Sequence, residues 1–309
     1  MLNCISDINL KIAKDPKAFV ADSEMAYRQR IETLAQKIAD DRDIEIILLA
    51  GPSASGKTTS ACILKDDLMN HGIHAERVSL DDFYKTQDKM PRDENGDPDY
   101  ESVYSLETDD IARCINELLT KRKTQLPVFN FTKKARETSC RSIDIGSHGV
   151  VIFEGLHALN PVIVDQLPQG RLLKLYISVG EDYKDEDGNL LLGSRNIRLM
   201  RRLSRDMIYR DSPLIKSLQL WTNVVKGENR YLIPYKPTAD VKLQSFHEYE
   251  LCVFKVLLEN DLKALSSTVP NYDRVAFILE AMKKAVPLSP DFVPEDSLLK
   301  EFMKGGKYE

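Results

Sequence analysis

The sequence predicts an α/β fold in which a mostly parallel sheet lies between two layers of helices. Three observations predict it. Short runs that are apolar on both faces, such as Ile46 to Ala50, Val150 to Phe153 and Leu172 to Val179, have the length and composition of buried parallel strands. Segments with helical spacing of apolar residues separate them. The first run leads directly into Gly51-Pro52-Ser53-Ala54-Ser55-Gly56-Lys57-Thr58-Thr59, which matches a phosphate-binding loop set between a strand and a helix.

Each residue type in that loop has a physical use. Glycines let the backbone turn tightly and aim the N–H groups from Ala54 through Thr58 at phosphate oxygens. Lys57 reaches the outer phosphates, and the Thr58 hydroxyl suits Mg2+. Gly51, Ser53, Ala54, Ser55, Gly56, Lys57, Thr58 and Thr59 are therefore the candidate residues for a nucleoside triphosphate, ATP or GTP.

In chain order, residues 1–43 read as a helical extension. Met25, Ala26, Ile31, Leu34, Ala35 and Ile38 form an apolar stripe between Ala21 and Asp41. A strand from Ile44 to Ala50, the loop, and a helix from Ser60 to Asn70 follow, with Gly72 as a plausible C-cap. Ala75 to Leu80 is a second strand running into Asp81-Asp82-Phe83-Tyr84, and the acidic stretch PRDENGDPDYES has the composition of a surface loop. Leu106 to Leu119 reads as a helix and Thr124 to Phe131 as one strand or hairpin arm. The strand Gly149 to Phe153 ends at Glu154-Gly155-Leu156-His157. Ligands belong at the carboxyl ends of such strands, where Asp81 and Glu154 stand.

After the strand Leu172 to Val179, the segment Ser194 to Asp211 carries Arg195, Arg198, Arg201, Arg202, Arg205 and Arg210. Two readings fit: a solvated basic face balanced by carboxylates, or a lid closing arginines over a transferring phosphate. Ala239 to Leu243 is a last strand, Tyr249 to Leu265 a helix, and Val275 to Ala285 a helix preceding the proline-containing PLSPDFVPEDS. The expected division is 1–43, a central domain over 44–265 with a lid at about 181–230, and a C-terminal helical extension over 266–309.

Composition narrows the classes. With 309 residues, 29% charged and 42% hydrophobic, the chain has the profile of a folded protein of one large or two modest domains. A net charge of -5 argues against a general nucleic-acid binder. The five cysteines show no C-x-x-C pair, there is no apolar leader, and no run approaches 18 consecutive apolar residues. A cytoplasmic protein without a membrane partner is expected.

The ordered set GPSASGKTT, SLDDFYK, PVFNF with Lys133-Lys134-Ala135-Arg136, VVIFEGLHALN, RLMRRLSRD and ENRYLIPYKPTADV resembles the phosphoribulokinase/uridine kinase family of P-loop kinases, and in particular bacterial uridine kinase-like proteins. The resemblance implies a three-layer P-loop fold and transfer of the terminal phosphate of ATP or GTP, with Mg2+, to the 5′-hydroxyl of uridine or cytidine. It also implies a small-molecule nucleoside partner, and related kinases commonly form homo-oligomers.

Residue by residue, the resemblance implies that Asp81 accepts the hydroxyl proton, Tyr84 contacts substrate and Glu154 stands near Mg2+ through a water. His157 would touch substrate, Phe129 and Phe131 would hold the base, and Arg136, Arg202, Arg205 and Arg210 would contact substrate or phosphate. Lys134 stands where the family carries a base-reading histidine, and Asn130 where it carries an aspartate. The bland readings are a turn cap for Asp81 or Asp82, core packing for the two phenylalanines, and a structural histidine. A sugar-phosphate kinase and a nucleotide-gated switch are the alternative functions, although the chain has no N-K-x-D guanine-reading element.

Overall fold

The computed structural model describes residues 3–131 and 133–308. Its N-terminal extension is two helices, α1 (Ile5–Lys14) and α2 (Pro16–Asp40). The break has a local cause: the Asp15 side chain accepts a hydrogen bond from the Ala18 N–H, and Pro16 takes the first helical position, where a missing N–H costs nothing. The buried face of α2 is Tyr27, Ile31, Leu34, Ala35 and Ile38; Met25 and Ala26, expected on that stripe, face solvent.

Then come β1 (Ile46–Ala50), α3 (Lys57–Asn70), β2 (Ala75–Ser79) and α4 (Thr108–Lys121). Leu80 lies outside β2, in a short 3-10 turn over Leu80–Phe83. The single strand expected over 124–131 is two pieces. β3 (Lys123–Leu126) pairs antiparallel with β6 (Arg141–Asp144), and β4 (Phe129–Asn130) pairs with β5 (Ala135–Arg136). Pro127, which lacks an N–H, falls in the gap between β3 and β4. β7 (Val150–Gly155), α5 (Pro161–Val164), β8 (Leu172–Ser178), β9 (Tyr183–Lys184) and β10 (Leu190–Leu192) follow. The chain continues through α6 (Ser194–Tyr209), α7 (Leu214–Tyr231), β11 (Val241–Gln244), α8 (Glu250–Lys263) and α9 (Tyr272–Lys284). Two short 3-10 turns, Pro290–Phe292 and Leu298–Phe302, lie beyond α9.

The central sheet has the order β11-β8-β1-β7-β2, every pair parallel. Alternation splits β1 between two cores: Ile47 and Leu49 pack with helices including α2, α3, α6 and α8, while Ile46, Leu48 and Ala50 pack with α4 and α5. Both the N-terminal helices and the C-terminal turns, through Leu298, Leu299 and Phe302, join the first core. Among the described residues, no helix is long and apolar enough to cross a membrane.

The register brings the chemistry to one edge. Glu154 lies opposite Leu49 of β1 and Ser79 of β2, so the acid at the end of β7 comes level with the phosphate-loop strand and the approach to Asp81.

The arginine-rich helix α6 divides in two. Its apolar face (Ile197, Leu199, Met200, Leu203) is buried, and so are Arg198 and Arg201. Arg201 forms a bidentate pair with Glu250 of α8 at 2.7 and 2.9 Å, both side chains fully buried. Arg198 does the same with Glu228 of α7 at 2.6 and 2.8 Å. These two are balanced by carboxylates as the first reading expected, but they are buried and not solvated, and they are structural cations. Replacing one partner strands a buried charge, so Arg201→Met is expected to destabilise the fold by about 3–5 kcal/mol. The double replacement Arg201→Met with Glu250→Leu should recover most of that loss, as read from urea unfolding midpoints.

Candidate active site

The loop leaves β1 and enters α3 with Ala54 at φ 56° and Gly56 at φ 84°. Gly56 has two reasons to be glycine: its left-handed backbone, and a Leu298 side chain that would collide with any Cβ placed there. The first turn of α3 is anchored from below. The Ser60 hydroxyl donates to the Gly56 carbonyl at 2.6 Å, and Tyr27 of α2 shares a 2.7 Å hydrogen bond with Ser60. Several loop amides are already engaged. Ser53 N–H donates to Glu228, Ser55 N–H to the Pro52 carbonyl, and Thr59 N–H to Glu301.

Lys57 and Thr58 line a cavity of about 1110 Å3, together with Ser53 and Ala54 of the loop, Asp81, Tyr84, Phe131, Glu154, Arg202, Arg205 and Arg210. The Thr58 hydroxyl donates to Glu154 at 3.2 Å, and Arg77 of β2 pairs with the same carboxylate oxygen at 3.0 Å. Burial pushes the Glu154 carboxyl above its ordinary range, and Asp81 adds to the push, against the opposing pull of Lys57 and Arg77. A hydroxyl and a carboxylate side by side at a phosphate loop make a hard-oxygen pair that suits Mg2+. The described residues contain no group of three or more acidic, histidine or cysteine side chains able to hold a metal, so phosphate oxygens and waters would complete the shell.

Asp81 sits in the Leu80–Phe83 turn, which Ser79 caps by accepting from the Asp81 N–H. Its side chain is exposed to the cavity, whose walls still push the carboxyl above the usual range against the pull of Lys57, Arg210 and Arg205. Asp82 is half-buried and also lines the cavity. Beside them stands an aromatic cluster. Tyr84 lies 5.7 Å from Tyr100, 5.7 Å from Phe129 and 6.3 Å from Phe131, ring centre to ring centre. Phe131 is 57% exposed and faces the cavity, whereas Phe129 is buried behind it, 5.1 Å away. The Tyr84 hydroxyl donates to the Tyr100 carbonyl at 2.9 Å, which fixes that ring.

Three residues expected at the substrate stand elsewhere. Lys134 is exposed in the β4–β5 turn with φ 52° and does not line the cavity. Arg136 braces the turn that carries Asp81: it pairs with Asp110 at 2.9 Å and donates to the Phe83 and Tyr84 carbonyls. Its guanidinium is occupied by the protein, so it acts on Asp81 through the backbone. His157 is buried with its ring edge-on to Tyr231, and burial pushes it down to about 3, so it is neutral. These three would need a rearrangement to touch a ligand in this cavity.

Arg202, Arg205 and Arg210 converge on Asp206, at 3.2, 2.9 and 3.6 Å. Burial pushes the Asp206 carboxyl up, but the three cations outweigh it and hold it below the ordinary range. Arg202 also donates to the Ser53 hydroxyl at 2.9 Å, tying α6 to the loop.

Residue-by-residue reading missed four acids and one cation. Asp206 gathers the arginines, Glu228 joins Ser53 to Arg198, Glu301 contacts Thr59, Arg77 flanks Glu154, and Glu101 stands with Tyr100 on the cavity wall. The acidic loop read as surface carries these last two inward, and Gly227 of α7 permits it, since a Cβ there would strike the Glu101 Cβ. Burial pushes Glu101 up to about 8 from an ordinary 4.5, so folding keeps a proton on it. Its contribution to stability is complete below about 4.5 and declines as pH rises to about 8. Glu101→Gln, which cannot ionise, is expected to gain stability relative to the parent across that interval and hold a constant advantage above it, as read from unfolding midpoints between pH 4 and 9.

A model of the phosphoribulokinase/uridine kinase family matches residues 46–251. A uridine kinase of Limosilactobacillus reuteri (strain DSM 20016) is 25% identical over 209 residues, covering 67% of this chain and 86% of that protein. One from Streptococcus agalactiae serotype III (strain NEM316) is 27% identical over 197 residues, covering 63% and 84%. A solved structure described as a possible uridine kinase from Bacillus stearothermophilus superposes with a TM-score of 0.48 at 18% identity, over 70% of this chain and 98% of that one. The family match runs from the first residue of β1 into α8 and takes in every strand of the central sheet, so the chain belongs to the phosphoribulokinase/uridine kinase family.

Proposed function

We propose that the protein is a nucleoside kinase that passes the terminal phosphoryl group of ATP or GTP to the 5′-hydroxyl of uridine or cytidine. The supporting observation is one cavity that brings Lys57 and Thr58 together with Asp81, the half-buried ring of Tyr84 and the exposed ring of Phe131. A phosphate loop needs only the first pair; an acceptor alcohol needs the second.

Phosphoryl transfer has a loose transition state, so the protein chiefly aligns the hydroxyl and neutralises charge. The acceptor oxygen forms a bond to the terminal phosphorus as the bond to the bridging oxygen breaks, and the hydroxyl proton passes to the Asp81 carboxylate. A carboxyl raised above its usual range is a better base for that proton. Lys57, Arg205 and Arg210 face the spreading negative charge, and Arg202 holds the loop through Ser53. Bound Mg2+, held at Thr58 and Glu154, would supply further neutralisation of the phosphates. Tyr84, Tyr100 and Phe131 offer faces for a base, and Phe129 and Arg136 support that wall from behind.

A second reading has its own observation. An adjoining cavity of about 430 Å3 shares Tyr100, Glu101 and Arg202 and is lined further by Arg92, Lys226 and Arg230, cations suited to the phosphate of a phosphorylated pentose. The nucleoside is favoured because the acceptor side of the larger cavity carries Asp81 and Asp82, which disfavour an anionic acceptor.

Release of nucleoside diphosphate should be measured with uridine, cytidine, other nucleosides and pentose phosphates. Turnover with a pyrimidine nucleoside is expected, turnover confined to a pentose phosphate would reassign the acceptor, and hydrolysis indifferent to any acceptor would make the protein a switch. Asp81→Asn should keep triphosphate binding and lose transfer by about 100-fold or more, whereas Lys57→Ala should weaken triphosphate handling itself.

A further inference from the structure

The segment beyond α9 lies outside the residues that the family shares, yet it packs against the loop. Leu298 covers Gly56, and the Glu301 carboxylate accepts from the Thr59 N–H at 3.3 Å and from the Thr59 hydroxyl at 2.9 Å. The segment is firmly seated. Phe302 is fully buried under the Arg201 guanidinium, Ser204 donates to the Phe302 carbonyl, and Lys307 and Tyr308 both bond Asp66 of α3. Between this segment and the start of α3 is a cavity of about 310 Å3.

The position of that cavity relative to the first is informative. Lys57 and Asp81 line only the large cavity, Thr59 and Tyr308 only the small one, and Thr58, Arg205, Tyr209, Arg210 and Glu301 line both. A triphosphate on such a loop puts its outer phosphates at the lysine and the hydroxyl that follows it, so the inner phosphate and the nucleoside continue away from the acceptor. Past Thr58 that direction leads to Thr59 and into the small cavity. The amide at this point already holds a carboxylate, which marks it as a place that accepts an anion. The walls suit a nucleoside: two tyrosines, Tyr209 and Tyr308, with Lys300, Glu295 and Glu301 as polar groups.

We propose that this cavity is the site for the ribose and base of the phosphate donor, built by the segment 295–308, and that Glu301 holds the inner-phosphate position on Thr59 until the donor displaces it. This rests on the nucleoside kinase reading for its donor, but not for its acceptor. The segment stays in place when donor binds; only the Glu301 side chain turns aside, since two anions cannot share one N–H.

The test uses the intact chain with Mg2+. Photolabelling with 8-azidoadenosine triphosphate, followed by peptide mapping, should place the label within 295–308. Label on the aromatic wall at 84–131 or on 223–231 would overturn the proposal. Affinities for ATP and for inorganic tripolyphosphate supply the second arm. Tyr308→Ala should weaken ATP by about tenfold through lost base packing and leave tripolyphosphate within about twofold. Glu301→Gln should tighten tripolyphosphate by removing a like charge. Equal losses for both ligands in Tyr308→Ala, or weaker tripolyphosphate binding in Glu301→Gln, would also overturn it. If the parent bound neither ligand, the kinase reading would fail as well, whereas tripolyphosphate binding with label elsewhere would sink the donor site alone.

Discussion

A loop built to gather negative charge must be surrounded by cations, and cations crowded together repel one another unless each has an anion to answer it. That balance is the constraint on which the rest of the structure depends. Arg198 and Arg201 reach the loop carbonyls of Ser53 and Ala54 and are neutralised in the interior by Glu228 and Glu250. Three further arginines share the single carboxylate of Asp206. Five cations against three acids leave an excess of positive charge on the side of α6 that faces the cavity, where Arg202, Arg205 and Arg210 stand. The helix supplies both the frame and the field: its buried arginines are satisfied and rigid, while its outer ones are under-compensated and available to phosphate.

Rigidity of this kind has a further effect on the acids. Glu154 and Asp81 face the same Lys57, and the charge on Asp81 adds to the burial that raises Glu154. Arg77 and Thr58 hold Glu154 by hydrogen bonds to its side chain, whereas Asp81 is held through its backbone, its N–H by the Ser79 hydroxyl and its carbonyl by the Tyr84 N–H. The Glu154 carboxylate is thus the better anchored of the two, a difference that agrees with the separate roles proposed for them above.

The sheet and its loop were legible in the sequence because their signals are local. Apolar runs, one glycine-rich turn and two acids at strand ends each occupy a few consecutive residues, and parallel pairing brings them together with little choice of register. What could not be read is the partner of each charge. Glu301 meets Thr59 across 242 positions, Glu228 meets Ser53 across 175, and Arg77 meets Glu154 across 77, and no local pattern announces such pairings. Nearby motif matches misplaced residues for a related reason. Lys134 stands in the β4–β5 turn with a left-handed backbone and is exposed, whereas Arg136 in β5 lies against Asp110, and a sequence that resembles a ligand-binding stretch does not reveal which way the turn faces. The α6 arginines show the same limit within one helix, since a 3.6-residue period puts Arg198, Arg201 and Arg205 on one side, and what separates them is the carboxylate each meets, Glu228, Glu250 and Asp206.

The contact of Leu298 with Gly56 also bears on how the chain folds. The sheet strands from β1 to β11 complete their pairings within 200 residues of one another, but the outer flank of the loop is closed by residues made about 240 positions later. Contacts of such separation carry a loop-closure cost and form late. The loop must therefore hold its tight turn through an interval in which Gly56 has no cover, relying on the Ser60 to Gly56 bond and on Tyr27 beneath it. The helical extension that precedes the sheet serves as the provisional clamp, and the segment that follows it seals a loop already shaped.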